Sequence, residues 1–304
     1  MHFTFIKWSF SLLAALFVIS CTNPQNNTPN IENLSEDSQN QLLRVAESMK
    51  KAGDCGTAIK FYNDIVYSEP QNSQANIGLA QCLVEVKKYS EASEVLNRFL
   101  LDQPHNMQVR MELGKIYIAG HNPKMALKEF ARISANDPQI TSAQNGLGIC
   151  NDFLGQHQKA QNLYQKALEK NPNHPGILSN LGLSYILEGK YDQGIRILEP
   201  LAKHFQATPR DRQNLALAYG VSGNIGKAAQ LFSIDLDDTA VRNNIAYLHI
   251  LQSSPPASRI AAVYPGAQSE LEAVIPSELP RPILPTKPLE IRPLSSNKTH
   301  IKKS

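Results

Sequence analysis

Between residues 39 and 252 the apolar positions return at i, i+3, i+4 and i+7, the spacing of one face of a helix, and polar turns break the pattern every dozen residues or so. A second, longer rhythm lies on top. Pro70, Pro104, Pro138 and Pro172 stand 34 residues apart, and Ala58, Ala92, Ala126 and Ala160 keep the same interval. So do Ala80, Gly114, Gly148, Gly182 and Ala216, while Tyr117, Tyr185 and Tyr219 fall in one column. Independent columns in one register predict a helix pair repeated down the chain. Small residues stand where the two helices approach closely, large ones fill the surrounding space, and Pro ends each second helix. Gly53, Gly155, Gly189 and Gly223 fall in the turn inside a pair, where a positive φ costs glycine little.

This 34-residue pattern resembles the tetratricopeptide repeat. With repeats opening at residues 39, 73, 107, 141, 175 and 209, repeat positions 8 and 20 are small and position 32 is Pro. Positions 4, 7, 11 and 24 are space-filling: Arg110, Leu113, Tyr117 and Phe130 in the third repeat. The register lapses at Gly194, Gln206 and Ala240, yet SNLGLSY (179–185) and QNLALAY (213–219) keep the first-helix pattern. RNNIAYLHILQ (242–252) imitates one more first helix without a second, as a capping helix for the open end would. The expected fold class is all-α: a superhelix of six repeats plus a cap over 39–252, flanked by a disordered N-terminal tether and a Pro-rich C-terminal tail.

The ends differ in composition. MHFTFIK carries Lys7, WSFSLLAALFVIS is apolar, and Cys21 opens a stretch rich in Asn, Pro and Thr. The apolar run is shorter than the roughly 20 residues of a membrane-spanning helix and has the order of a secretory signal. Val18-Ile19-Ser20-Cys21 resembles a lipobox, which implies cleavage after residue 20 and lipidation of Cys21. An ordinary cleaved signal with a chance Cys is the alternative. With Thr22 after the Cys, the resemblance implies the periplasmic face of a bacterial outer membrane. Residues 21–38 are expected to be a flexible tether. Residues 253–304 hold nine Pro, with seven Lys or Arg against four Glu. They form a disordered or polyproline-like tail, either a passive spacer or a docking arm.

The net charge of +3 sits in that tail and argues against a nucleic-acid partner. No HExxH, GxxxxGK[ST] or GxSxG motif occurs, so neither an enzyme, a cofactor, a metal nor a small-molecule substrate is expected. The acidic residues fall at helix-surface spacings that suggest a solvated face. Beyond Cys21 three cysteines remain. Cys82 and Cys150 share one column two repeats apart, too far to bridge. They read as small buried hydrophobes, and Cys55, near a turn, as the candidate for pairing between molecules.

Resemblance to the repeat family assigns the concave lining to repeat positions 2, 5, 9, 12 and 13. These columns hold Ile77, Val84, Met111, Ile118, Ile149, Phe153, Leu183, Ile186 and Leu187, with Glu47, Lys50 and Lys51 in the first repeat. They form either an apolar groove for a protein segment or contacts buried between neighbouring repeats; Gln81, Gln108, Asn145 and Gln213 could bond a ligand backbone.

The stretch 212–251 narrows the family. RQNLALA, the A-x-x-L-F-x-x-D-L run from Ala228 to Leu236, and NNIAYL resemble the end of TadD. That is the repeat-containing lipoprotein family of tight-adherence (Flp-type) pilus and secretion systems. The resemblance implies an outer-membrane-anchored assembly factor whose partners are a secretin or other pilus envelope proteins. An envelope scaffold regulating peptidoglycan synthesis or outer-membrane protein insertion is the alternative.

Overall fold

The computed structural model describes residues 36–253. The signal (1–20), Cys21, most of the tether and the tail after Ser253 lie outside the described residues. The first helix, α1, begins at Glu36.

Thirteen helices follow one another in the described chain: α1 (Glu36–Lys51), α2 (Cys55–Ser68), α3 (Ser73–Glu85), α4 (Tyr89–Asp102), α5 (Met107–Ala119), α6 (Pro123–Asn136), α7 (Thr141–Phe153), α8 (His157–Leu168), α9 (Pro175–Leu187), α10 (Tyr191–Lys203), α11 (Pro209–Val221), α12 (Ile225–Asp235) and α13 (Asp238–Ser253). They form six hairpins and a final helix packed on α11 and α12. Each first helix also touches the first helix of the next repeat, so α1, α3, α5, α7, α9 and α11 share one face.

One turn geometry serves all six hairpins. Gly53, Lys87, His121, Gly155, Gly189 and Gly223 are 34 residues apart, and every one has a positive φ. The backbone N–H of the following residue donates to the carbonyl five residues back, as in Asn122 to Tyr117 (2.7 Å) and Lys190 to Tyr185 (2.9 Å). The left-handed residue itself donates three back, as in Gly189 to Ile186 (3.0 Å). This is a Schellman ending, which satisfies carbonyls that the first helix leaves open. Lys87 and His121 meet the same demand with a Cβ in place. Open space surrounds the Gly189 Cα, so only backbone conformation opposes a side chain there. Gly189→Ala should therefore destabilise the array by about 1 kcal/mol, read from its urea midpoint.

The entries to α3, α5, α9 and α11 are capped by a side chain, whereas Ile140 before α7 supplies none. Asn72 and Asn106 accept from the backbone N–H three residues on, both at 3.0 Å, and Thr208 completes a capping box with Asp211. Repeat position 4 departs from its expected space-filling role. Asn76, Arg110 and Gln144 donate to the carbonyls of Pro70, Pro104 and Pro138, tying each first helix to the bend before it.

Small residues at positions 8 and 20 bring the hairpin helices together, and position 24 fills the space that remains. Tyr62, Leu96, Phe130, Tyr164, Leu198 and Phe232 occupy that column, all buried. A Cβ on Gly148 would stand 2.4 Å from the Tyr164 ring, and one on Gly182 would meet Leu198 at 2.7 Å. At the far end Leu248 of α13 rests on Gly220, whose added Cβ would lie 2.2 Å away. Tyr247, Leu248 and Leu251 close the core there, as the capping pattern predicted.

Candidate functional site

The first helices line one face as expected, but that face has two unlike halves. From α7 onward it is shut. Asn180 donates to Asn145 Oδ1 (2.9 Å) and Asn214 to Ser179 Oγ (2.8 Å), each bond bridging consecutive first helices, and all four residues are buried. Gly146, Gly148 and Gly182 let Phe130, Tyr164 and Leu198 of the second helices pack close against this face from behind.

The consequence corrects the expected groove. Ile149 is fully buried, Leu183, Ile186 and Leu187 are nearly so, and Ile77 and Ile118 are also core residues. A partner cannot reach these six side chains without parting the repeats. Val84, Met111 and Phe153 are half-buried and remain at the surface. Asn145, expected to bond a ligand backbone, spends its carbonyl on Asn180; Gln108 is exposed and Gln213 half-buried.

At the N-terminal half the same face carries a polar strip. Lys50 Nζ donates to Gln81 Oε1 (2.8 Å), and Gln81 Nε2 donates to Glu112 Oε1 (2.8 Å). Lys115 Nζ reaches Glu112 Oε2 at 2.9 Å, and Gln74 bonds Glu47. The strip crosses α1, α3 and α5. Glu47, Lys50, Gln81, Glu112 and Lys115 are half-buried, with Val84 and Met111 beside them. It offers alternating acceptors and donors next to apolar contact, the mixture an extended peptide needs.

A second polar cluster escaped the sequence reading, which had assigned the acidic residues to a solvated face. Asp152, at the end of α7, is fully buried. Its Oδ1 lies 2.8 Å from His157 Nδ1 and accepts from Ser184 Oγ at 2.7 Å, while Tyr164 donates to Oδ2 at 2.9 Å. Burial raises the Asp152 carboxyl above its ordinary value, against the bonds from His157, Ser184 and Tyr164. The presence of Ser, His and Asp does not make a nucleophile here. Ser184 is fully buried and directs its hydroxyl at the carboxylate instead of at the imidazole. The cluster fastens α7, α8 and α9 together. Its signal was legible in position: Asp152 shares a column with Val84, Ile118 and Ile186, where an acidic side chain is out of place.

Among the described residues no group of three or more His, Cys, Asp or Glu could hold a metal. No described helix is long and apolar enough to cross a membrane.

The tetratricopeptide repeat family matches residues 50–106 and 154–218. A Sinorhizobium fredii protein, y4yS, is 30% identical over 121 residues, which cover 40% of this chain and 66% of that one. The mouse aspartyl/asparaginyl beta-hydroxylase is 22% identical over 208 residues, 62% of this chain but only 28% of that protein. The chain thus spans less than two thirds of these relatives. Among solved structures, a tetratricopeptide repeat protein from Parabacteroides merdae superposes with a TM-score of 0.58 at 17% identity, over 80% of this chain and 95% of that one. PilW, a type IV pilus biogenesis factor, gives 0.57 at 18% identity, over 66% and 93%. At such identities the likeness is one of fold. Period, hairpin geometry and the family match agree on one fold, a tandem array of tetratricopeptide repeats.

Proposed function

We propose that this protein is a lipid-anchored assembly factor of a tight-adherence (Flp-type) pilus system. In this reading it works on the periplasmic face of the outer membrane, without catalytic chemistry of its own. It grips a segment of a secretin or another pilus envelope protein. The observation that carries the reading is the polar strip across α1, α3 and α5, the open half of a concave face whose other half is shut. Three further features support it: the lipobox at Cys21, the TadD-like ending over 212–251, and a fold shared with a pilus biogenesis factor.

The test is crosslinking in intact envelopes, followed by capture and mass spectrometry. Recovery of a secretin or pilus components is expected. Recovery of cell-wall synthases or the insertion machinery, with no secretin, would replace this reading by the regulatory scaffold.

Two substitutions sharpen the test. Cys21→Ser should move the protein from the membrane pellet to the soluble fraction, since the acyl chains supply the anchoring. Unchanged pelleting after a salt wash would count against lipidation. Met111→Glu puts a charge on the rim of the strip and should weaken capture about tenfold or more, with helical circular dichroism unchanged. Leu183→Glu, in the shut half, should instead lose helix, because an ionised carboxylate is driven into the core.

A further inference from the structure

The structure changes the reading of the cysteines. Cys55 is the first residue of α2 and nearly covered, so it is not placed for pairing between molecules. Cys82, in α3, is fully covered, and the two Sγ atoms lie 2.7 Å apart. A disulfide needs about 2.05 Å, so the sulfurs have to close by only about 0.7 Å. The repeat register gives independent support. Cys55 and Cys82 occupy position 17 of one repeat and position 10 of the next, and His157 and Ser184 occupy the same two positions. That pair also touches: Ser184 Oγ lies 3.5 Å from the His157 carbonyl. These two columns therefore meet at two separate joints, α2 with α3 and α8 with α9.

We propose that Cys55 and Cys82 are a modification site, closing to an intramolecular disulfide that staples the first repeat to the second. The oxidant is a disulfide of the thiol-exchange class, either small-molecule or the active-site disulfide of an oxidoreductase. The Cys55 thiolate attacks one sulfur of that donor and expels a thiolate, leaving Cys55 in a mixed disulfide. Cys82 then gives its proton to the departed thiolate and attacks Cys55 Sγ, expelling the donor's second sulfur as a thiolate, which takes up the proton Cys55 released. Two electrons pass from the cysteine pair to the donor, which leaves as two thiols.

Cys55 meets the donor because it is the less covered of the two. Burial pushes the Cys82 thiol up to about 12, and the Lys50 ammonium works in the opposite direction. Lys50 also bonds Gln81 and sits 5.9 Å from the Tyr62 ring centroid, so the pair lies directly beneath the polar strip. The first repeat is where a staple matters most. In the described chain no hairpin packs on its outer side, and terminal units of a repeat array open first. Holding α2 to α3 fixes the neighbours of the helix that carries Glu47 and Lys50.

The oxidant's availability in the cell rests on the envelope location proposed above; the chemistry of the pair does not. The purified full chain is equilibrated in oxidised glutathione or in dithiothreitol, quenched in acid, unfolded, alkylated and weighed. Expected after oxidation is one peptide linking Cys55 to Cys82, lighter by two hydrogens, with Cys150 alkylated. Reduction should lower the first calorimetric transition by about 5–10 °C. The double variant Cys55→Ala with Cys82→Ala should show no such redox dependence. Free Cys55 and Cys82 after oxidation, or linkage to Cys150 or between chains, would overturn the proposal. A pair that closes in glutathione but arrives reduced from cells supports the staple and counts against the export reading instead.

Discussion

Replacing Asp152 by Ala should cost the array about 3–5 kcal/mol at neutral pH, read as a lowered urea midpoint. The size follows from what the carboxylate accepts. His157 and Tyr164 of α8 and Ser184 of α9 converge on its two oxygens in a fully buried setting. Truncation removes the acceptor while their polar atoms stay buried. Each such loss costs about 1–3 kcal/mol, which a helix surface would not exact. Asp152→Asn keeps the shape and isolates the proton. Burial raises the Asp152 carboxyl in the folded state above its ordinary value. A raised folded value contributes stability that is fully present below the unfolded value and is lost as pH rises through the folded one. The difference between wild type and Asp152→Asn should therefore move in favour of wild type on acidification. A difference that is flat with pH, or that moves the other way, would mean that burial does not dominate at this carboxyl. His157 faces the same oxygen, so the comparison belongs on a background of His157→Gln as well.

How far the sequence foretold these features depends on whether a column or a contact had to be read. The hairpin, its small positions and its cap were legible because each is a periodic column of one residue type. The left-handed turn was read from Gly53, Gly155, Gly189 and Gly223, yet Lys87 and His121 adopt it too. Composition hides them, while the 34-residue register points straight at them. The groove failed for another reason. The family columns assign the nine residues to one face, but their exposure depends on how closely the surrounding helices pack. Gly146 and Gly182 admit Phe130 and Leu198 of the second helices, and they belong to different columns from the nine residues. The cysteine pair is the same lesson. Cys82 was compared with Cys150 in its own column, whereas the contact joins position 17 to position 10 of the next repeat. Columns are visible along one dimension; contacts between columns need the stacking geometry.

Phe130→Ala should produce the other large loss, about 3–5 kcal/mol, and should change the shape of unfolding as well as its midpoint. Phe130 is fully buried at the joint between the third and fourth repeats. Its ring lies against two backbones at once: an added Cβ would come within 2.6 Å of it at Gly114 and within 2.8 Å at Gly146. Gly114 belongs to the same hairpin and Gly146 to the first helix of the next, so one side chain serves both an internal and an inter-repeat contact. Neither glycine has a side chain that could swing in to fill the space, so the cavity stays open and the cost falls at the high end. In a stacked array stability is the sum of repeat terms and nearest-neighbour interfaces. Weakening one central interface should let the first three repeats open apart from the last three, so that two urea transitions replace one. Leu96, which occupies the equivalent position in the second repeat, supplies the control. Ala80 and Glu112 hold the repeat positions of Gly114 and Gly146 around it, so side chains are present that can relax toward the gap. Leu96→Ala should cost less, about 2–4 kcal/mol, and leave the central joint coupled. A single transition for Phe130→Ala, shifted no further than that of Leu96→Ala, would show that the joint does not depend on the ring.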